Sequence, residues 1–146
     1  DLAKSEVHQA LVKLDCPIIY TTNYDKYLEL AHEAAKKKFT RISNVSDFNR
    51  IEEGVTQIIK FHGDFSDDKS LVLSESSYFD RLTFEAPLDI KLRSDCIGKS
   101  ILFVGYSLSD PNIRFILFKL QRLWEASGYG SSRPPCFIYL GRPNPV

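Results

Sequence analysis

Apolar residues along the chain follow two rhythms, helical stripes and short near-continuous runs, and the two alternate. Residues 2–14 place Ala3, Val7, Ala10, Leu11 and Leu14 at helical spacing, with Ser5-Glu6 suited to an early turn. Asp15-Cys16-Pro17 ends that helix, because the residue before proline avoids the helical region. The run 18–22 reads as a strand whose apolar, β-branched character suits cover on both faces. Asn23 is placed to cap a helix over 24–38, with Tyr24, Tyr27, Leu28, Ala31, Ala34 and Ala35 on one face. Lys36-Lys37-Lys38 closes it where cations favour the carbonyl end of the dipole, and a solvated helix end is the plainer reading of that triple. Residues 39–45 predict a second strand, 47–54 a loop or broken turn, and 55–61 a third strand.

Beyond it, 65–70 is polar and turn-like, 71–73 a brief strand and 74–82 a helix. A helix over 87–96 leads to Gly98, which suits a helix stop. The run 101–104 is the clearest strand. Asp110-Pro111 then opens a helix to residue 126, with an acidic cap and proline at the first helical position. Ile113, Ile116, Leu117, Leu120, Leu123 and Trp124 are its expected inward face. A flexible connection over 128–135 leads to a last strand over 136–140. Strands alternating with helices predict an α/β fold with a largely parallel sheet, right-handed crossovers and helices on both faces.

Composition narrows the classes. A length of 146 residues fits one domain, and 43% apolar with 26% charged residues is a globular balance. Nineteen basic residues offset nineteen acidic ones, which argues against a general electrostatic hold on nucleic acid. No run approaches the roughly 20 apolar residues that cross a bilayer. Cys16, Cys96 and Cys136 are isolated, with no paired-cysteine zinc pattern, and are expected to be small buried residues in a reducing, cytoplasmic compartment. The sequence has no methionine and opens on Asp1, so we expect a stretch excised from a longer protein with further domains.

Candidate chemistry sits where strands end. The run over 58–61 releases His62, Gly63 and Asp64; the run over 18–22 releases Asn23, Tyr24 and Asp25; the run over 101–104 releases Gly105, Tyr106 and Ser107. In open parallel sheets ligands bind beyond the carboxyl ends of strands, so three such exits describe one site built from distant sequence. His62 offers an imidazole that can accept a proton, and Gly63 leaves room for a ligand. Asn23 and Asp25 can grip a carboxamide or position water, although taken alone helix capping by Asn23 and dipole compensation by Asp25 are the plainer reading. The segment 105–111 joins a strand to a helix start, where backbone N–H groups meet anions or ribose hydroxyls. It has neither Walker nor dinucleotide-fingerprint spacing. His8 and His32 sit on helix faces, where packing roles are expected.

Together, Thr21-Thr22-Asn23-Tyr24-Asp25, Lys60-Phe61-His62-Gly63 and Gly105-Tyr106-Ser107-Leu108-Ser109-Asp110-Pro111 resemble the sirtuin-like family, and within it the bacterial branch found in antiphage defence and other multidomain proteins. The segment 71–78 resembles that branch too, and the likeness spans about residues 18–114. The resemblance implies a Rossmann-like domain that binds NAD and cleaves the nicotinamide–ribose bond. It matches His62 to the catalytic histidine, Asn23 to the asparagine beside the reacting sugar, and Asp25 to the carboxylate holding the nicotinamide amide. Gly105 and Ser107 match the loop contacting ribose and phosphate, and Thr22, Gly63 and Tyr106 flank these positions as further NAD contacts. No metal is implied for this step.

Two departures shape the expectation. The paired-cysteine zinc module of deacylating sirtuins is missing, which favours NAD hydrolysis over protein deacylation. The family's first strand and Gly-Ala-Gly pyrophosphate loop should precede Asn23, and residues 2–14 offer no such loop. Residues 1–146 are therefore expected to be a single, partial domain that by itself binds NAD poorly and turns it over slowly or not at all. The alternatives are an inactive module sensing NAD or ADP-ribose, and, at lower weight, a deacylase. No membrane or direct nucleic-acid partner is expected; a homo-oligomer is compatible.

Overall fold

The computed structural model describes residues 5–65, 86–106 and 111–139. By contacts the chain divides into two compact units, Asp1–Tyr78 and Phe79–Val146. The strand expected over 71–73 and the helix over 74–82 lie outside the described residues.

The first unit runs α1 (Glu6–Lys13), β1 (Ile18–Thr21), α2 (Tyr27–Ala34), β2 (Phe39–Ile42), a short 3-10 helix (Val45–Arg50) and β3 (Thr56–Lys60). Its strands are all parallel in the order β1-β3-β2, which puts β3 in the middle. That position explains burial. Ile58, Ile59 and Lys60 of β3 are buried, whereas every residue of the edge strand β1 is only half-buried. The cover on both faces expected for β1 is therefore not found; it belongs to β3, whose two edges and faces all meet protein. Ile42, Ile58, Ile59 and Phe61 form the heart of this core.

α1 packs on α2 with Val12 buried, and the His8 ring stands edge-on to Tyr27 at 5.6 Å. Val7 and Leu14, expected inward, are exposed, because the docking face of α1 is the one carrying His8 and Val12. α2 is shorter than expected. It ends in a left-handed Lys36 (φ 55°), with Lys37 N–H donating to the His32 carbonyl at 2.9 Å. Lys37 then reaches back, donating to the Val12 carbonyl at 3.1 Å and pairing with Asp15. One lysine of the triple thus closes α1 onto α2, while Lys36 and Lys38 stay exposed. His32 is buried, bonded through Nδ1 to the Leu28 carbonyl oxygen at 2.8 Å and edge-on to Phe39. His8 lies 2.7 Å from the Ser5 hydroxyl. Both histidines pack, as the sequence suggested.

The connection after β2 is more ordered than a loop. Asn44 accepts from Ser46 N–H at 2.9 Å and forms a capping box with Asp47. Buried Asp47 accepts from Ser43 N–H (2.8 Å), the Ser43 hydroxyl (3.1 Å) and Asn44 N–H (3.3 Å), and Arg50 sits 2.5 Å away. Burial alone would raise the Asp47 carboxyl, but these donors and the guanidinium outweigh it and hold it below its ordinary range.

The second unit holds α3 (Pro87–Gly98), β4 (Ile101–Val104), α4 (Pro111–Ala126), a 3-10 turn (Gly130–Ser132) and β5 (Cys136–Tyr139). β4 and β5 pair in parallel from Ile101↔Cys136 to Val104↔Tyr139. α3 and α4 both start on proline, whose fixed φ suits the first helical position. Leu88, Leu92, Cys96, Ile113, Ile116 and Leu120 form the buried set. Leu123 is exposed although it was expected inward, and all four residues of β5 are exposed. Of the cysteines only Cys96 is buried; Cys16 is half-buried and Cys136 exposed, so the expectation of three buried thiols fails for two. Burial, then Asp95 and Cys136, push the Cys96 thiol up to about 12.

Candidate active site

Parallel pairing fixes where the polar residues emerge. Thr21 lies opposite Lys60, so Asn23 and His62 each stand two residues beyond one paired position. Phe61 N–H donates to the Thr21 carbonyl at 2.8 Å, extending the pairing to the point where both chains leave the sheet. The two exits are neighbours for that reason, whatever their separation in sequence.

After β3 the chain turns at once. Gly63 N–H donates to the Lys60 carbonyl at 3.0 Å, with Phe61 and His62 in the two central positions. Gly63 takes φ 98°, a conformation that a Cβ disfavours, so glycine is required for this turn. The turn is buried, His62 being 8% exposed, and the His62 ring lies 5.7 Å from that of Phe61. Asp64 is fully buried, with its Oδ2 3.3 Å from Arg41 of β2. That contact ties the turn to the other neighbour of β3.

The β1 exit is held by its own side chains. The Thr21 hydroxyl accepts from Asn23 N–H at 3.1 Å, and Asp25 Oδ1 accepts from Tyr27 N–H at 3.1 Å. Asn23 therefore does not cap α2 as expected. Lys26 occupies the N-cap position without a side-chain bond, and Asp25 supplies the acceptor. The Thr21 bond keeps residues 22–26 out of the helix, which shortens α2 and leaves Asn23 exposed in the loop. Tyr24 stacks at a tilt on Phe65, ring centres 5.2 Å apart, so the segments after β1 and β3 also touch through aromatic rings. Burial raises the Tyr24 phenol above its ordinary value.

The first unit thus brings together Thr22, Asn23 and Asp25 at one exit and His62 and Gly63 at the next. Gly105 (φ 62°) and half-buried Tyr106 follow β4 in the second unit, with Tyr106 stacked on Phe103 at 5.9 Å. Ser107 lies outside the described residues. Among the described residues no group of three or more His, Cys, Asp or Glu could hold a metal ion, and no helix is long and apolar enough to cross a membrane.

Two residues escaped the sequence reading. Lys60, the last residue of β3, is 1% exposed, and its Nζ donates to the Asp25 carbonyl oxygen while lying 3.5 Å from the buried Glu29 carboxylate. A lysine closing an apolar run just before the histidine was one available signal. A glutamate one turn past Asp25 and next to inward Leu28 was the other.

A profile of the SIR2-like domain matches residues 17–145. The chain is 31% identical over 123 residues, 81% of its length, to an NAD(+) hydrolase ThsA of Acinetobacter baumannii, and 30% identical over 125 residues to the protein of the same name from Bacillus cereus. It is 28% identical over its whole length to defense-associated sirtuin 2 of Bacillus subtilis. The chain spans about a quarter of the two hydrolases, 25% and 26%, and 14% of the sirtuin.

Proposed function

The chain belongs to the SIR2-like domain family, and from that premise we propose that it is the NAD-cleaving part of a larger bacterial defence effector. The reaction is hydrolysis of the nicotinamide–ribose bond: NAD and water give nicotinamide, ADP-ribose and a proton. The observation that carries this reading is the adjacency of the Asn23–Asp25 loop and the His62–Gly63 turn at two paired strand ends.

Departure of nicotinamide leaves positive charge on the ribose, and fixed polar groups at that point lower the barrier. The Asn23 carboxamide stands beside the reacting sugar and orients water, which it can do because it is exposed while its backbone N–H is held by the Thr21 hydroxyl. Asp25 holds the nicotinamide amide. His62 takes the proton of the attacking water or of a ribose hydroxyl, a role suited to imidazole near neutral pH. Thr22 and Gly63 flank the ligand, and Gly105, Tyr106 and Ser107 contact ribose and phosphate. The same reading treats residues 1–146 as one partial domain in a cytoplasmic protein with further domains, a pyrophosphate loop upstream of Asn23, and no resident metal.

The full-length protein mixed with NAD is the test, with nicotinamide and ADP-ribose followed by chromatography. Release of both, lost in His62→Ala, is the expected result. Undiminished release in that variant removes His62 from the mechanism. Binding of NAD or ADP-ribose by calorimetry without cleavage over hours replaces hydrolysis with sensing.

A further inference from the structure

We propose that Lys60 is a positioning residue for the candidate active site, holding the Asn23–Asp25 loop against the His62 turn, with Glu29 as the counter-charge that lets it stay buried; this rests on the NAD-cleaving reading above. Three contacts converge on this one residue. Its carbonyl accepts from Gly63 N–H at 3.0 Å and so closes the turn that carries His62. Its Nζ donates to the Asp25 carbonyl oxygen and so reaches the loop that carries Asn23 and Asp25. Its backbone stands opposite Thr21 in the parallel ladder. The two halves of the site are thus joined through one side chain as well as through the sheet.

An ammonium group 1% exposed is costly to bury, and the Glu29 carboxylate at 3.5 Å compensates it. For stability alone an apolar pair of similar volume would serve as well in this position. What an apolar pair lacks is a donor aimed at the Asp25 carbonyl. Asp25 also accepts from Tyr27 N–H through its side chain, so the residue is gripped at carbonyl and carboxylate together. Release of the carbonyl leaves the loop, among the described residues, to the Thr21–Asn23 and Asp25–Tyr27 bonds, both short-range within the same segment, and to the Tyr24–Phe65 ring contact.

Stability and positioning predict opposite orders for two variants of the full-length protein. Glu29→Gln removes the counter-charge but keeps the lysine N–H donor for the Asp25 carbonyl. Glu29→Gln combined with Lys60→Met removes both charges and the donor while keeping the volume. The double variant should be the more stable of the two. It should nonetheless lose about tenfold or more in kcat/KM for NAD, the scale of one charged hydrogen bond, while Glu29→Gln stays within about threefold of wild type. Hydrogen exchange should rise in the peptide containing residues 22–27 of the double variant, with β3 amides unchanged.

Activity that follows the stability order, or loop exchange identical in both variants, overturns the proposal. Wild-type protein that leaves NAD intact removes the NAD-cleaving reading instead, and the exchange comparison, which needs no substrate, still decides whether Lys60 holds the loop.

Discussion

Asp47 offers a direct test of how the first unit is held, because its chemistry has a pH signature. Its Oδ2 collects three donors, the Ser43 amide and hydroxyl and the Asn44 amide. Ser43 is itself buried, so Asp47→Ala leaves an amide without its acceptor and removes charge-assisted bonds, at a cost of about 2–3 kcal/mol. Arg50 adds little to this figure because it is largely exposed. Asp47→Asn keeps one acceptor oxygen for the same donors and loses only the charge, about 1 kcal/mol. The assay is native-state hydrogen exchange on the peptide covering residues 42–51 of the full-length protein, corrected for intrinsic rates. Protection should fall about 30- to 160-fold for the alanine variant and about fivefold for asparagine at pH 7.

The sign with pH follows from the shift. The folded-state carboxyl lies below its ordinary 3.8, so ionised Asp47 contributes stability above that value and loses it as pH falls through the folded-state pKa. The gap between wild type and Asp47→Asn should therefore be full at pH 7 and close on acidification below about pH 4. A gap absent at pH 7, or one that widens with acid, would refute the reasoning.

Gly63→Ala places a Cβ on a residue at φ 98°; it should destabilise the His62 turn by about 1–2 kcal/mol and lower kcat/KM for NAD with it, measured by thermal unfolding and nicotinamide release. Cys96, buried and with its thiol pushed up to about 12, should resist iodoacetamide at pH 8 in the native protein, while exposed Cys136 reacts; mass spectrometry after alkylation reads both, and prompt labelling of Cys96 would contradict its burial. Lys37→Ala removes the link from α2 to Val12 and Asp15. The lost ion pair is exposed, so protection in α1 should fall only slightly and the fall should shrink in high salt, checked by exchange in α1 at two ionic strengths.

The elements that were legible in the sequence are those whose signal is local. β4 and α4 have the bounds expected of them, because an apolar β-branched run and a proline at the first helical position act without help from distant residues. β1, β2 and β3 were placed but drawn one or more residues too long, since strand ends depend on pairing partners. Burial was read less well. Val7, Leu14 and Leu123 satisfy a helical stripe yet remain exposed, because which part of a stripe docks is decided by the neighbouring helix. The cap of α2 was misassigned because Asn23 and Asp25 are both competent acceptors, and the Thr21 hydroxyl decides between them.

The site divides along the same line. That strand exits carry the polar residues follows from strand direction alone, and so could be inferred from three apolar runs ending in Asn, His and Gly. That the exits after β1 and β3 are adjacent depends on strand order, and β3 lies beside β1 although β2 comes between them in sequence. Their alignment depends on register. The Thr21↔Lys60 pairing sets Asn23 level with His62, and a slip of one residue would turn every β3 side chain to the other face, taking Lys60 away from Asp25. Ile58 and Ile59 lie fully buried on opposite faces of β3, so the strand that carries Lys60 and leads into the His62 turn is held on both sides by the core. Core packing and site geometry are in this sense one constraint, carried by the strand that stands between β1 and β2.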